Sequence, residues 1–131
     1  MFSEAEIKYL KSQRLGRLAT VSKDGKPDVA AVAYEFDGRD FYIGSYIMKK
    51  TRKYWNIKNG NPKVSFVVDD LASVNPWIPR GIKIDGKAEI IIRSKQSSGP
   101  AGTMSPEYIR LTPESSRSWR IEPAEPSKKQ H

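Results

Sequence analysis

Two Asp-Gly dipeptides, each placed between extended apolar runs, constrain the fold of this chain more than any other sequence feature. Asp24-Gly25 separates residues 17–21 from residues 28–36, and Asp37-Gly38 separates the second run from residues 41–44. Asp-Gly is typical of tight hairpin turns, because glycine tolerates the positive φ that such turns require. The sequence therefore predicts a three-stranded antiparallel meander near its start.

Further strands are predicted along the rest of the chain. Between residues 82 and 92, apolar side chains alternate with charged ones, which is typical of a strand with one buried face. The isoleucines at even positions, up to and including Ile92, are expected to face inward. Gly86 interrupts the apolar face and predicts a β-bulge. A fourth strand over 64–68 is predicted to end at Asp69-Asp70, and residues 107–111 and 116–121 supply one or two last strands.

Two helices complete the predicted elements. Ser3 and Glu6 have the spacing of a capping box, so a short amphipathic helix is expected from there to about Arg14. A second helix is predicted over 47–59, with Ile47 among its inward side chains and its cations facing solvent. Strands of this number and length favour a mainly β fold, a small closed or half-closed antiparallel barrel.

The predicted domain organisation is simple. Residues 1–121 form one domain, and residues 122–131 are a polar, proline-containing tail that we expect to be disordered. The Ser/Gly/Pro-rich stretch 94–105 is expected to be a mobile loop, and residues 73–81 form another loop. Trp77 lies among prolines in the second loop, where a monomer has little to bury it against, so it indicates a dimer interface or a ligand groove.

The positive charge is concentrated in one segment. The chain has 23 basic and 15 acidic residues, a net charge of +8, and the stretch between Ser45 and Lys63 contains six basic residues and no acidic one. Without that stretch the net charge falls to +2. Concentrated positive charge attracts anions. A solvated helix face would have the same composition, but Thr51, Tyr54, Trp55 and Asn56 in the same segment can hydrogen-bond or stack, so we favour a phosphate or carboxylate site.

The residue inventory excludes most catalysis by the chain's own side chains. It contains no cysteine and a single histidine, His131, so thiol chemistry, a metal site and a histidine base are not expected. Asp69-Asp70 is the one adjacent carboxylate pair, and we interpret it as a strand end rather than an acid/base pair. An enzyme with this composition depends on a borrowed cofactor. No apolar run could span a bilayer and no signal peptide is recognisable, so a cytoplasmic location without membrane contact is expected.

Ordered motifs along most of the chain resemble the pyridoxamine 5'-phosphate oxidase-like split-barrel superfamily. Its opening is similar to residues 14–21, 24–27 and 43–44, and its helix and following strand are similar to residues 51–53, 56–57 and 61–70. Further motifs resemble the coenzyme F420-dependent branch of this superfamily: Pro76-Trp77, residues 79–82, Gly86, Ala88-Glu89 and Ser118-Trp119. The similarity extends from about residue 2 to residue 119.

The resemblance implies a split β-barrel of about six antiparallel strands, of the FMN-binding type, that forms a homodimer with the cofactor in a groove between subunits. It implies an oxidoreductase in which coenzyme F420 passes hydride to a small conjugated substrate, with no catalytic side chain required and solvent as proton donor. By the same resemblance, the cofactor phosphate is held by Lys53 and Asn56, with Thr51, Arg52 and Lys49. Its rings lie against Ala19, Thr20 and Val32, and Trp77 and Arg80 close over the site.

Three alternatives remain open. FMN fits the same groove, because it too has a phosphate and a flat tricyclic ring. A related barrel could also bind a cofactor without catalysis, for storage or sensing. A barrel that binds single-stranded nucleic acid would use basic residues interleaved with Tyr54 and Trp55, but here the charge lies on one helix rather than across a sheet, which disfavours nucleic acid.

Overall fold

A computed structural model of the chain describes residues 1–93, 98–99 and 102–121, with side chains omitted at 98–99 and 102–103. The predicted loop over 94–105 lies partly outside the described residues, and the predicted tail over 122–131 lies wholly outside them. In the described part, no helix has the length and apolar character needed to cross a membrane.

The structure is mainly β. One sheet contains seven antiparallel strands, and a short ladder pairs β7 (Ser98–Gly99) with β8 (Gly102–Thr103). The seven strands are β1 (Leu15–Val21), β2 (Pro27–Ala33), β3 (Glu35–Phe36), β4 (Phe41–Ile43), β5 (Lys63–Ser73), β6 (Ile78–Ile92) and β9 (Glu107–Trp119).

The strand order makes the sheet curl. In the sheet the order is β2-β1-β5-β6-β9-β4-β3. β2 and β3 are the two edge strands of this sheet, but only Tyr34 separates them in the chain. The sheet therefore curls so that its two edges come close together, which gives a half-barrel. This is the split-barrel architecture that the sequence predicts.

Both predicted hairpins are present. β1 pairs with β2 and β3 pairs with β4, with Gly25 and Gly38 at positive φ in the turns. The predicted second strand is divided at Tyr34, because its first half pairs with β1 and its second half with β4.

The predicted end of the fourth strand and the predicted loop after it are wrong, and the last strand is the single one of the two alternatives. β5 continues through Asp69-Asp70 to Ser73, because both residues pair across the ladder with the start of β6. The predicted loop over 73–81 is therefore reduced to the turn 74–77 that precedes β6. The last strand is continuous from Glu107 to Trp119, since it pairs with β6 along almost its whole length.

The predicted bulge at Gly86 is confirmed. The register between β6 and β9 shifts between Asp85 and Gly86. A Cβ at position 86 would collide with the carbonyl oxygen of Thr112, so the two strands come too close there for any other residue. The alternation is confirmed as far as Ile90, but Ile92 is exposed, because the end of β6 extends past the core.

Helix α1 (Glu4–Ser12) has the predicted capping box: Ser3 Oγ accepts from the Glu6 amide, and Glu6 Oε1 accepts from the Ser3 amide. Tyr9 and Leu10 pack into the core, which is completed by inward side chains of the strands: Leu18, Phe41, Phe66, Ile82, Ile84, Ile109 and Leu111.

The predicted helix over 47–59 is three successive turns of different type. They are a 3₁₀ turn (Met48–Lys50), α2 (Arg52–Trp55) and a π-helical turn (Asn56–Gly60), and residues 48–60 are called the basic segment below. Thr51 has an extended backbone, so a single helix cannot pass through it. The prediction that Ile47 faces inward is wrong, since it lies before the first turn and is 55% exposed; Tyr54 and Ile57 are buried as predicted.

Candidate functional site

The basic segment is held by its own hydrogen bonds at one end and by close packing on the barrel at the other. Thr51 caps α2, because its Oγ1 accepts from the Tyr54 amide, and the same hydroxyl donates to the Met48 carbonyl at 2.7 Å. At the other end, a Cβ on Gly60 would lie 3.1 Å from the Lys23 amide nitrogen and 3.2 Å from the Val21 carbonyl oxygen. The segment is therefore packed closely on the β1–β2 hairpin, and the hydroxyl of Thr51 is engaged in forming the segment.

Lys53 is the unusual cation of this segment. The prediction that the cations face solvent is wrong for Lys53, which is only 9% exposed, because α2 packs against β2. Within the described ranges, no carboxylate lies within 4.0 Å of its amino group. Burial lowers the pKa of Lys53 below its ordinary value of 10.5, and attraction to Asp28 opposes that shift. A buried cation without a close counter-ion is suited to an anionic ligand.

Asn56 and Thr20 form a buried polar pair beside Lys53. The Asn56 side-chain amide donates to Thr20 Oγ1 at 2.9 Å, and both residues are buried. Thr20 lies on the inner face of β1, where its neighbours on the same face are apolar. The hydrogen bond joins the π-helical turn to β1, so two predicted site residues from distant parts of the chain are brought together.

A carboxylate that the sequence analysis did not assign completes this cluster. Asp28 lies opposite Thr20 in the β1–β2 ladder, and its Oδ1 is 3.9 Å from Arg52 Nε. Both Asp28 and Thr20 lie on the inner side of the hairpin, so the basic segment meets an acidic group there. The even spacing of Asp28, Ala30 and Val32 in the predicted strand is the one signal that could have indicated an inward carboxylate.

Lys49 is directed away from this cluster. Its amino group lies 3.6 Å from Glu107 Oε2 at the start of β9, and its carbonyl accepts from Trp55 Nε1 at 2.7 Å. The Lys49 side chain is 62% exposed. The structure thus groups Thr20, Arg52, Lys53 and Asn56, with Thr51 shaping the turn and Lys49 paired at its edge.

The residues predicted to contact a flat ring lie on opposite sides of the sheet. Ala19 faces outward, because it follows Leu18 and precedes Thr20, which both face inward. Val32 is 5% exposed and belongs to the core. Ala31 and Ala33, on either side of Val32, are the exposed positions of β2, and they share the outer face with Ala19 and Val29.

Two shallow depressions meet at Ala19. One, of about 340 Å³, lies at the turn end of the β1–β2 hairpin and is bordered by Pro27 and Lys63 and by the carboxylates Asp85 and Glu114. The other, of about 280 Å³, lies on the outer face and is lined almost wholly by apolar atoms from Val29, Val67, Trp119 and their neighbours. Arg52, Lys53 and Asn56 line neither depression, and the apolar one offers a surface for a flat ring.

Trp77 and Arg80 lie far from the cluster in the same chain. Ser65 is opposite Ala19, and Asp70 is opposite Arg80, so five residues of β5 separate the two places, about 17 Å at the rise of a strand. Trp77 is 64% exposed at the turn before β6. Within one chain, neither residue is brought to Lys53.

Arg80 is engaged in a local network. Its Nε and Nη2 donate to the two oxygens of Asp70 at 2.8 and 3.1 Å, its guanidinium lies over the Tyr9 ring, and the Tyr9 hydroxyl donates to Asp70 at 2.8 Å. The hydrogen bonds from Arg80 and Tyr9 hold the pKa of Asp70 below its ordinary value. Asp69 pairs with Arg17 at 3.1 Å. Both carboxylates are thus ion-pair partners, which agrees with a structural rather than an acid/base role.

Together, the curled seven-stranded sheet and the helical segment packed on its first hairpin define a split barrel. The family model described as "Pyridoxamine 5'-phosphate oxidase" matches residues 3–125, so the chain belongs to this family. This confirms the resemblance found in the sequence.

Individual relatives agree with the family. The chain is 34% identical, over 92% of its length and 84% of the relative's, to the 5a,11a-dehydrotetracycline/5a,11a-dehydrooxytetracycline reductase of Streptomyces rimosus. An F420 reductase of known structure superposes with a TM-score of 0.67 and 25% identity, covering 88% of this chain and 98% of that one. The conserved hypothetical protein Rv2991 of Mycobacterium tuberculosis superposes with the same TM-score at 24% identity, covering 91% and 85%. Two of these three relatives are named reductases, which supports an oxidoreductase.

Proposed function

We propose that this chain is a coenzyme F420-dependent reductase that acts as a homodimer on a small conjugated organic substrate. One observation carries the proposal: the Lys53 side chain is only 9% exposed, its amino group has no carboxylate within 4.0 Å in the described part of the chain, and it lies on a segment without acidic residues. The F420 reductase and the dehydrotetracycline reductase among the relatives support the choice of cofactor and of substrate class.

The residues present fit a phosphorylated cofactor with a flat ring. Lys53 and Arg52 supply positive charge for the phosphate, and the Asn56–Thr20 hydrogen bond holds the π-helical turn beside them. Thr51 keeps the segment in shape, and Lys49, paired with Glu107, stands at its edge. The outer face around Ala19 offers an apolar surface for the rings. Val32 supports that face from the core without touching a ligand.

The chemistry follows from this division of roles. Coenzyme F420, when bound, supplies a hydride. The chain's own residues bind the anionic end, orient the rings against the strand backbone and leave one ring face open to substrate. The resemblance requires no side chain of the cluster as an acid, and in this proposal the proton comes from solvent.

A second copy of the chain completes the site in this proposal. The outer face of β1 and β2 exposes a row of apolar side chains: Leu15, Val29, Ala31 and Ala33. Pairing of two such faces would remove them from water and form a groove beside Ala19. The exposed Trp77 and the neighbouring Arg80 of one copy are then available to the other copy's site. We expect such a dimer without membrane or nucleic acid as a partner.

The test is equilibrium binding of coenzyme F420 and of FMN to the purified protein and two variants. Lys53→Ala removes the buried cation, so F420 affinity should fall at least about tenfold, or about 1.4 kcal/mol. Lys50→Ala removes an exposed cation of the same segment, and it should bind within about twofold of the wild type. Reduction of a conjugated enone by reduced F420 should then be lost in parallel with binding.

Three outcomes would contradict the proposal. If neither cofactor binds more tightly than roughly 1 mM, the chain is not a cofactor enzyme. Tight binding of FMN without F420 would make it a flavoprotein. Binding of F420 without any turnover would indicate a storage or sensing protein.

A further inference from the structure

Asp28 is the one ionisable side chain of β2, and the role proposed for it below rests on the proposed anion site. Asp28 is 29% exposed on the inner side of the β1–β2 hairpin and lies 3.9 Å from the Arg52 guanidinium. A carboxylate in a site for an anionic ligand repels that ligand. The presence of Asp28 near Arg52 and Lys53 therefore needs an explanation other than direct contact with the ligand.

Lys53 provides that reason. A buried amino group tends to lose its proton, because the charged form is poorly solvated there. The charged groups on the elements packed against α2 are Lys49 and Lys50 in the turn before it, Lys58 in the turn after it, and Asp28 on β2. Arg52 on α2 itself is also positive. Asp28 is the one acidic group among them, so it is the group whose charge opposes the effect of burial on Lys53.

We propose that Asp28 is a positioning residue of the anion site, which favours the charged form of the largely buried Lys53 side chain and holds Arg52 against β2. The repulsion between Asp28 and a bound phosphate is the cost of this arrangement. A neutral Lys53 would offer only a neutral hydrogen bond, and charge-assisted bonds to phosphate are roughly twice as strong. Arg52 remains charged in any case, so Asp28 affects its position and not its charge.

The pKa of Lys53 agrees with this geometry. Burial lowers it, and among its causes Asp28 is the group that raises it. In the absence of Asp28, Lys53 should therefore lose its proton at a lower pH than in the wild type.

The experiment measures the charge on Lys53 directly, with no cofactor present. The side-chain ε-carbon of ¹³C-labelled lysine is titrated by NMR, and the Lys53 signal is assigned by its loss in Lys53→Arg. In Asp28→Asn the midpoint of the Lys53 titration should move to lower pH. Asp28→Glu should restore a midpoint close to that of the wild type.

Asp24→Asn is the matched control. Asp24 lies in the turn of the same hairpin, is exposed and is hydrogen-bonded to Ser22 at 2.6 Å, so its removal changes the net charge equally. The midpoint of Lys53 should be unchanged in this variant. An unchanged midpoint in Asp28→Asn, or an equal movement in Asp24→Asn, would overturn the inference.

Cofactor binding supplies a second readout that a purely structural role would not move. With coenzyme F420 as the probe, affinity falls at high pH as Lys53 loses its proton, and this fall should begin at lower pH in Asp28→Asn than in Asp24→Asn. If F420 does not bind to the wild type, the proposed function fails, while the titration of Lys53 still decides the role of Asp28.

Discussion

At the scale of single residues, polar groups on the inner side of the barrel define the candidate site. Thr20 stands at an inward position of β1 that an apolar residue would ordinarily occupy, and its hydroxyl is paired with Asn56. Lys53 and Asp28 also stand on the inner side of the elements that carry them. Each of these groups costs free energy to bury unless another group compensates it. Their partners come from other elements, so the site depends on how β1, β2 and the basic segment pack.

The Thr20–Asn56 hydrogen bond should make a measurable contribution to stability. Thr20→Val keeps the shape of the side chain but leaves the buried Asn56 amide without its acceptor, so the free energy of unfolding should fall by about 1–3 kcal/mol. Urea unfolding monitored by tryptophan fluorescence measures this change. Thr112→Val makes the same substitution at an exposed position of β9 and should change stability by less than about 0.5 kcal/mol. If Thr20→Val and Thr112→Val changed the free energy of unfolding equally, the Thr20–Asn56 hydrogen bond would make no contribution to stability.

At the scale of elements, the close approach of β6 and β9 determines how the sheet bends. The ladder between them is the longest in the molecule, and its register shifts at Gly86. The shift lets the two strands change direction together, so the sheet can curl without losing its pairing. The basic segment depends on this bend as well, because the Ala88 amide on β6 donates to the Pro62 carbonyl at 2.8 Å, just after the segment ends.

Gly86→Ala tests this element. The added Cβ would overlap the carbonyl oxygen of Thr112, and a displacement of backbone against backbone is needed to relieve it. We expect a loss of about 3 kcal/mol in the free energy of unfolding, at the upper end of the usual range for overpacking. Lys87→Ala, at the next and exposed position, should change stability by less than about 0.5 kcal/mol. A fully stable Gly86→Ala protein would contradict the close approach of the strands.

At the scale of the whole molecule, the two sides of the β1–β2 hairpin differ in what they contact. The inner side meets the core and the basic segment, whereas the outer side exposes Val29 and two alanines to solvent. In the proposed function the cofactor binds beside Ala19 on this outer side, where a single chain leaves it exposed to solvent. The proposed second copy covers both the apolar face and the cofactor groove.

Val29→Asp should therefore prevent self-association. Val29 is 68% exposed in one chain, so the charge is tolerated by the monomer but would be buried in the proposed dimer. Light scattering after size exclusion should show one chain per particle in place of two. Ile92→Asp places the same charge at a side chain that is 67% exposed at the end of β6, and this variant should remain dimeric. A monomeric wild type would contradict the proposed assembly.

Features that depend on neighbours a few residues away could be predicted from the amino-acid sequence. The two Asp-Gly hairpin turns, the Ser3–Glu6 capping box and the bulge at Gly86 follow from local backbone and side-chain preferences, and all are present. The mainly β class and the position of the basic segment follow from periodicity and composition.

The tertiary structure alone decided burial and pairing between distant segments. It buries Lys53, places Asp28 against Arg52, separates Ala19 from Val32 across the sheet and joins Arg80 to Asp70 and Tyr9. No local pattern contains these facts, because the partners lie 10 to 71 residues apart in the chain and meet only when the sheet curls. Whether a cation is solvated or available to a ligand depends on which groups the fold brings to it, and that is a property of the packed molecule.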